Sequence, residues 1–248
     1  MSISADLSKD VVNLRWRRNG TSRDLRGWIG GGLRTIGKFE PLEWLFHKKD
    51  DRPIPEIPAM VRFYATPAHV GINFIGDEAI EKLQQSLLDL LAAARAAALG
   101  NADIYTSVIW VKPATYPVSY LANRIVLRKL RLEAKQQPPR DLLVQHIQRA
   151  VANSINLQAT TIGLPDPKLL AETVSVDQID TLGSTQLEND GKRMTIPRVT
   201  RAIISLPLYL EGPWNVGGLA AHGNGHIKRL DQLAQMNTGH TAAQGEAA

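Results

Sequence analysis

Between Val11 and Val111 the hydrophobic period of this chain switches repeatedly between two residues and about 3.6, and the order of the switches leaves few folds open. Val12, Leu14 and Trp16 alternate with Asn13, Arg15 and Arg17, which is the period of a strand with one buried face. Asn19-Gly20 marks a turn, and Thr21 or Ser22 is placed to cap a helix starting near Arg23. That helix, to Ile36, is glycine-rich. After a proline-spaced loop, Pro53 to Pro58, the segments Val61 to Ala65 and Val70 to Ile75 read as strands on either side of Thr66-Pro67. Asp77 is placed to cap a long helix, Glu78 to Leu99, that stops at Gly100-Asn101. Ile104 to Val111, rich in β-branched and aromatic residues, is the next strand.

Written out, these residues spell β-α-β-β-α-β, the order of the ferredoxin-like unit that includes RNA-recognition-motif domains. Its sheet carries both helices on one face and leaves the other face free for a nucleic acid. The fold alone does not fix a function. Beyond residue 112, Leu121 to Gln136 and Arg140 to Leu157 look helical around a Pro138-Pro139 break, which predicts a helical hairpin. Thr173 to Ile179 and Arg198 to Leu210 read as strands, and Thr181 to Asp190 as a polar loop. No sequence repeat is visible; the strand count alone suggests a second, degenerate unit. The expected class is therefore α+β, with two ferredoxin-like domains and an inserted basic helical hairpin. The expected division is an N-terminal domain over residues 1–112, an arginine-rich finger over 113–158, a C-terminal domain over 159–237 and a disordered tail over 238–248.

The formal net charge of +5 suits a polyanionic partner. There is no cysteine, hence no disulfide framework and no thiolate metal site, and a reducing cytoplasm is the expected location. Met1 to Asp10 is polar and carries acids, unlike a signal peptide. The apolar run Leu87 to Leu99 is broken by Asp89 and Arg95 and is too short to span a bilayer, so no membrane partner is expected.

Three groups of residues carry candidate chemistry. Arg15, Arg17, Arg18, Arg23, Arg26, Arg34 and Lys38 lie close together with Asp24 as the one acid among them, and Trp16 and Trp28 are interleaved as candidate base-stacking rings. Alternatively both tryptophans are core and the arginines only decorate the surface. In the first helix of the predicted hairpin, Arg124, Arg128, Arg131 and Lys135 fall in one arc about 60° wide, with Lys129 outside it. Such a row repels itself unless an anion relieves it, or it is simply a solvated face. Near the C-terminus, Gly217-Gly218 and Gly223-Asn224-Gly225-His226 precede Lys228-Arg229. A glycine turn lets backbone amides approach a phosphate, with the cations neutralising it; the other reading is a flexible turn before a final strand.

Motifs for familiar enzyme chemistry are missing. The glycine loop lacks the Gly-Lys-Ser/Thr of a phosphate-binding loop, there is no nucleophile elbow, and no cofactor motif is present. His222 and His226 have helical ligand spacing, but the glycines between them favour a loop, so no metal site is expected. His47 follows Trp44-Leu45-Phe46 and reads either as a helix-end surface residue or as a proton-transfer group.

Thr21 to Ile36, followed by Pro41-Leu42-Glu43-Trp44-Leu45-Phe46, resembles the helix-and-loop segment of CRISPR-associated RAMP proteins. Arg193, Arg198 and Arg201, the strand to Leu210, and the glycine-rich loop look like the C-terminal half of the same group. Within it the chain is most similar to the endoribonucleases that process CRISPR RNA, and the basic hairpin resembles the helical finger of the type IV processing enzymes. The resemblance implies recognition of a CRISPR repeat stem-loop and metal-independent cleavage by the ribose 2′-hydroxyl. It also implies retention of the mature crRNA in a ribonucleoprotein with other CRISPR effector subunits. Many relatives carry a histidine on or just after the first helix; here that helix holds Arg23, Arg26 and Arg34 and no histidine. The expected roles are therefore Arg23 and Lys38 on the scissile phosphate, with His47 or His226 moving protons. Arg15, Arg17, Arg26, Arg34, the finger cations, the glycine loop and Lys228-Arg229 are the expected RNA contacts. A non-catalytic RAMP subunit that binds or caps guide RNA is the alternative, and an RNA-binding module outside CRISPR is a further one.

Overall fold

The computed structural model describes residues 8–46, 60–127, 130, 138–189, 192–219 and 223–232. Strand β1 (Lys9–Trp16) leads into helix α1 (Ser22–Thr35), a 3-10 segment (Glu40–Phe46), strands β2 (Val61–Ala65) and β3 (Val70–Ile75), and helix α2 (Asp77–Ala96). Strand β4 (Asp103–Val126), helix α3 (Arg140–Thr161) and strands β5 (Ser175–Ile179), β6 (Leu182–Asn189), β7 (Lys192–Glu211) and β8 (Ile227–Arg229) follow. Every strand pairing is antiparallel, and the strands line up as β2-β3-β1-β4-β7-β5, with β6 also on β7 and β8 also on β4.

The N-terminal half is β-α-β-β-α-β, with helices and strands close to their expected bounds. Thr21 caps α1: its hydroxyl accepts from the Asp24 amide at 3.1 Å, and the Asp24 carboxylate accepts from the Thr21 amide at 2.9 Å. Leu25, Ile29 and Leu33 then recur on one face of α1 and are fully buried with Leu14, Trp16, Phe63, Ile72, Phe74 and Leu90. Trp16 is thus core, not a base-stacking ring, and Trp28 is half-buried beneath the Arg18 guanidinium at 4.4 Å. Helix α2 is capped by the backbone of Gly76; Asp77, expected as the cap, is its first helical residue and pairs with Lys9 at 3.0 Å.

Strand β4, of 24 residues, runs past the expected domain boundary at residue 112 and joins the halves. Its first part pairs with β1, and after a register shift between Pro113 and Val118 its second part pairs with β7 and β8. This corrects the predicted hairpin. Leu121 to Val126 are strand, not helix, because Leu121 lies opposite Ile203, Ala122 opposite Ala202 and Ile125 opposite Val199, which buries Ala122 and Ile125. Arg124 therefore does not share a helical ridge with Arg128; the other finger cations, Arg128, Lys129, Arg131 and Lys135, lie outside the described residues, as does the tail. The second helix of that pair is present as α3. The predicted polar loop at Thr181 to Asp190 is likewise largely strand β6, because β7 begins at Lys192 and supplies its pairing partner.

A second core of Tyr120, Ile147, Val151, Ile155, Ile204, Leu206, Trp214 and Val216 lies under α3, and Val11, Ile75 and Ile109 carry it into the first sheet. No helix among the described residues is long and apolar enough to cross a membrane.

Candidate nucleic-acid interface

Where the free face of the first sheet meets the turn after β7, a groove of about 600 Å3 opens between the two halves. Asn13, Arg62, Tyr64, Asn73, Tyr105 and Ser107 line it from the first sheet, and Ser22 from the start of α1. Asn123, Arg124, Trp214, Asn215, Gly223, His226, Lys228 and Arg229 face them. Glu211 is the only acid among these described lining residues, so the groove carries a net positive field.

A buried polar network fixes one half on the other. Arg62, on β2, is 2% exposed, and its guanidinium donates to the Pro213 carbonyl and, at 3.0 Å, to Asn215 Oδ1. Burial pushes its pKa down to about 9, so it stays a cation at neutral pH. The Asn215 amide donates to Gln158 Oε1 of α3 at 3.1 Å, and Asn215 Nδ2 donates to the Asn224 carbonyl at 2.8 Å. Strand β2, helix α3 and the glycine-rich loop are thereby tied to one residue, Asn215.

The glycines serve close packing. At Gly223, with φ +74°, a Cβ would lie 2.7 Å from Ser22 Oγ and 2.8 Å from the Phe63 carbonyl, so only glycine lets the loop touch the start of α1. A Cβ at Gly225 would overlap the Val216 carbonyl. Three of the amides expected to cradle a phosphate donate to protein acceptors: Gly217 to Ser154 Oγ at 2.9 Å, Gly218 to the Val126 carbonyl at 2.9 Å and Gly225 to the Arg124 carbonyl at 3.1 Å.

Of the expected site residues, Arg124, Lys228 and Arg229 line the groove with His226, Gly223 next to Asn224 sets the loop, and Arg23 is exposed on the first turn of α1 beside Ser22. Arg229 also pairs with Asp231 at 2.8 Å. Burial, then the charges of Lys228 and Arg62, push the His226 pKa down to about 4, so its ring is neutral at pH 7. It can accept a proton there but is not the imidazolium that would give one. Lys38 lies beyond the far end of the 14-residue α1, about 20 Å along the helix from Arg23, where it pairs with Asp89 at 3.4 Å. The two do not meet on one phosphate.

Three of the remaining N-terminal site arginines are engaged with protein. Arg15 pairs with Asp103 at 3.1 Å, Arg34 covers the Phe39 ring at 4.2 Å, and Arg26 donates to the Phe46 carbonyl at 3.0 Å. Arg17 is exposed. His47 and His222 lie outside the described residues. Arg62, Asn73, Gln158 and Asn215 escaped the sequence reading. The one local signal was an arginine inside the otherwise apolar strand Val61–Ala65.

This antiparallel sheet with its helices matches the fold of solved CRISPR Cas6 proteins. The chain is similar to Csf5, the type IV CRISPR-Cas Cas6 crRNA endonuclease, at 13% identity and a TM-score of 0.57 over 90% of this chain and 99% of that one. It is similar to a Cas6b structure at 11% identity and a TM-score of 0.61 over 90% of this chain and all of that one. At these identities the likeness is one of fold. No curated protein sequence matches the chain significantly. The sequence pattern of the type IV CRISPR-associated endonuclease Csf5 family matches residues 34–231. The chain belongs to that family, a branch of the CRISPR RAMP proteins.

Proposed function

We propose that the protein binds a CRISPR repeat stem-loop and cuts precursor crRNA without a metal, by attack of the ribose 2′-hydroxyl on the adjacent phosphate, and that it keeps the mature crRNA as a subunit of an effector complex. One observation carries the reading: the basic groove is closed by a glycine-rich loop resting on the first turn of α1, which gathers His226, Arg124 and Lys228 in one groove with Ser22, the chain neighbour of Arg23, on its wall.

The 2′-oxygen would attack phosphorus in line while the 5′-oxygen of the next nucleotide leaves, giving a 2′,3′-cyclic phosphate and a 5′-hydroxyl. Neutral His226 would take the 2′-hydroxyl proton, as a base weakened by its lowered pKa. Arg23 and Arg124 stabilise the added charge on the phosphorane, where fixed cations act without reorganising. Arginine remains protonated and is not the base. The alternative, a non-catalytic subunit that caps guide RNA, draws on His226 being an uncharged ring at neutral pH, so that it is not poised to protonate the leaving oxygen.

The test is 5′-labelled repeat RNA incubated with the protein in EDTA, beside Arg23→Ala and His226→Ala. A single cut ending in a cyclic phosphate, lost in either variant, is expected. Tight binding with no cut would replace the nuclease by the capping subunit.

A further inference from the structure

Four residues form one row across the free face of the first sheet. Arg62 lies opposite Asn73, Asn73 opposite Asn13, and Asn13 opposite Tyr105, so neighbours stand roughly 5 Å apart on the groove floor. Arg62 is held by Pro213 and Asn215. The two asparagines are 5% and 7% exposed, and both line the groove. Asn13 spends its amide nitrogen on the protein, donating to Ser107 Oγ at 3.0 Å and the Tyr105 carbonyl at 3.3 Å, which leaves Oδ1 as an acceptor. Asn73 makes no hydrogen bond through its side chain among the described residues. Its carboxamide is open to the groove, where water or a bound ligand can meet it. Tyr105 ends the row, 41% exposed, with the Arg15 guanidinium 5.3 Å from its ring centre.

We infer that this row is a reading site for one unstacked nucleobase of a single-stranded RNA segment, and that it selects bases bearing an amino group over uracil. The inference rests on RNA being the ligand of the groove, as proposed above. The unmet atoms are two acceptors, Asn13 Oδ1 and Asn73 Oδ1, and one donor, Asn73 Nδ2. Adenine, cytosine and guanine each carry an exocyclic amino group, with two donor hydrogens, beside a ring nitrogen acceptor. Uracil offers one donor between two acceptors and leaves an asparagine oxygen unmet. The Tyr105 ring supplies a stacking surface that any base can use. Arg124 and Lys228, on the opposite wall, face the phosphates.

The experiment measures fluorescence anisotropy of labelled rA6, rC6 and rU6 with the full chain in EDTA, using wild type, Asn73→Ala and Tyr105→Ala, with free AMP as competitor. Because Asn73 bonds to no described protein atom through its side chain, its truncation is expected to leave thermal stability unchanged. Wild type should bind rU6 at least about fivefold more weakly than rA6 or rC6, the lower end for one bidentate base contact. Asn73→Ala should close that gap, Tyr105→Ala should weaken all three hexamers alike, and AMP should not compete at concentrations near the hexamer Kd. Equal binding of the three hexamers by wild type, or a gap that survives Asn73→Ala, would overturn the inference. Displacement of the hexamers by AMP would overturn the claim that the site takes a strand. Cleavage is not read here, so a chain that discriminates hexamers yet cuts no repeat keeps the reading site and loses the nuclease.

Discussion

Helix α1 carries glycines at 27, 30, 31 and 32, and the structure assigns opposite signs to replacing them. A Cβ at Gly27 or Gly31 would meet nothing within 4 Å. Gly27→Ala and Gly31→Ala should therefore each stabilise the protein by about 0.5–1 kcal/mol, the gain of alanine over glycine in a helix interior. A Cβ at Gly32 would overlap the Ala93 carbonyl of α2 and sit 3.1 Å from the Ala93 Cα. The obstacle is backbone, so no rotamer relieves it and the two helices must separate. Overpacking costs about 1–3 kcal/mol. After the same propensity gain, Gly32→Ala should be net destabilising by up to about 2 kcal/mol. In the shared core between α1 and α2, Ile29, Leu33 and Leu90 are fully buried and would lose contact as well. Urea unfolding followed by circular dichroism reads the difference. Relative to wild type, the midpoint should rise for Gly27→Ala and Gly31→Ala and fall for Gly32→Ala at constant slope. If Gly32→Ala stabilised as much as Gly27→Ala, the close crossing of α1 on α2 would be wrong.

Three further outcomes follow from the groove. Gly223→Ala places a side chain at φ +74° and against Ser22 and Phe63, so the loop should lift from α1, with cleavage falling at least about tenfold by the gel assay for a stability loss of about 1–3 kcal/mol; unchanged cleavage would show that the loop need not touch α1. His226 has a folded-state pKa of about 4 against an ordinary 6.5, so the unfolded chain binds the extra proton between those values. Stability should be fully present above pH 6.5 and fall by up to about 3 kcal/mol toward pH 4, and His226→Asn should remove that part of the pH dependence of the urea midpoint. Arg124→Ala with Lys228→Ala should reduce the slope of log affinity against log salt for single-stranded RNA by about 1.4, whereas Lys38→Ala, distant and paired with Asp89, should leave slope and cleavage unchanged.

What could be read from the sequence was local. The period of Val12, Leu14 and Trp16, the Thr21 and Asp24 capping pair, and the punctuation at Thr66-Pro67 and Gly100-Asn101 act within a few residues of themselves. They were enough for the order of the first six elements and for the α+β class. Leu121 to Val126 carries an equally good helical period, yet it is strand because β7, some 80 residues later, buries Ala122 and Ile125 by pairing. Thr181 to Asp190 looks like a loop until β7 supplies its pairing partner. Pairing energy comes from a partner remote in sequence, which no local window contains.

The site divides in the same way. The glycine-rich segment and the cations after it stand out in the chain, and positive φ at Gly217, Gly223 and Gly225 is what such a segment suggests. Which surface the loop meets was settled only by folding, which brings Gly223 to Ser22 across some 200 residues and ties Arg62 to Asn215. The asparagine row came from register, since Asn13 and Asn73 are neighbours only because β1 lies between β3 and β4. The sequence by itself thus determined the first six elements and the supply of charge; the tertiary structure decided the later strands and which charges and carboxamides share a groove, because antiparallel pairing and the burial of two apolar faces place them there.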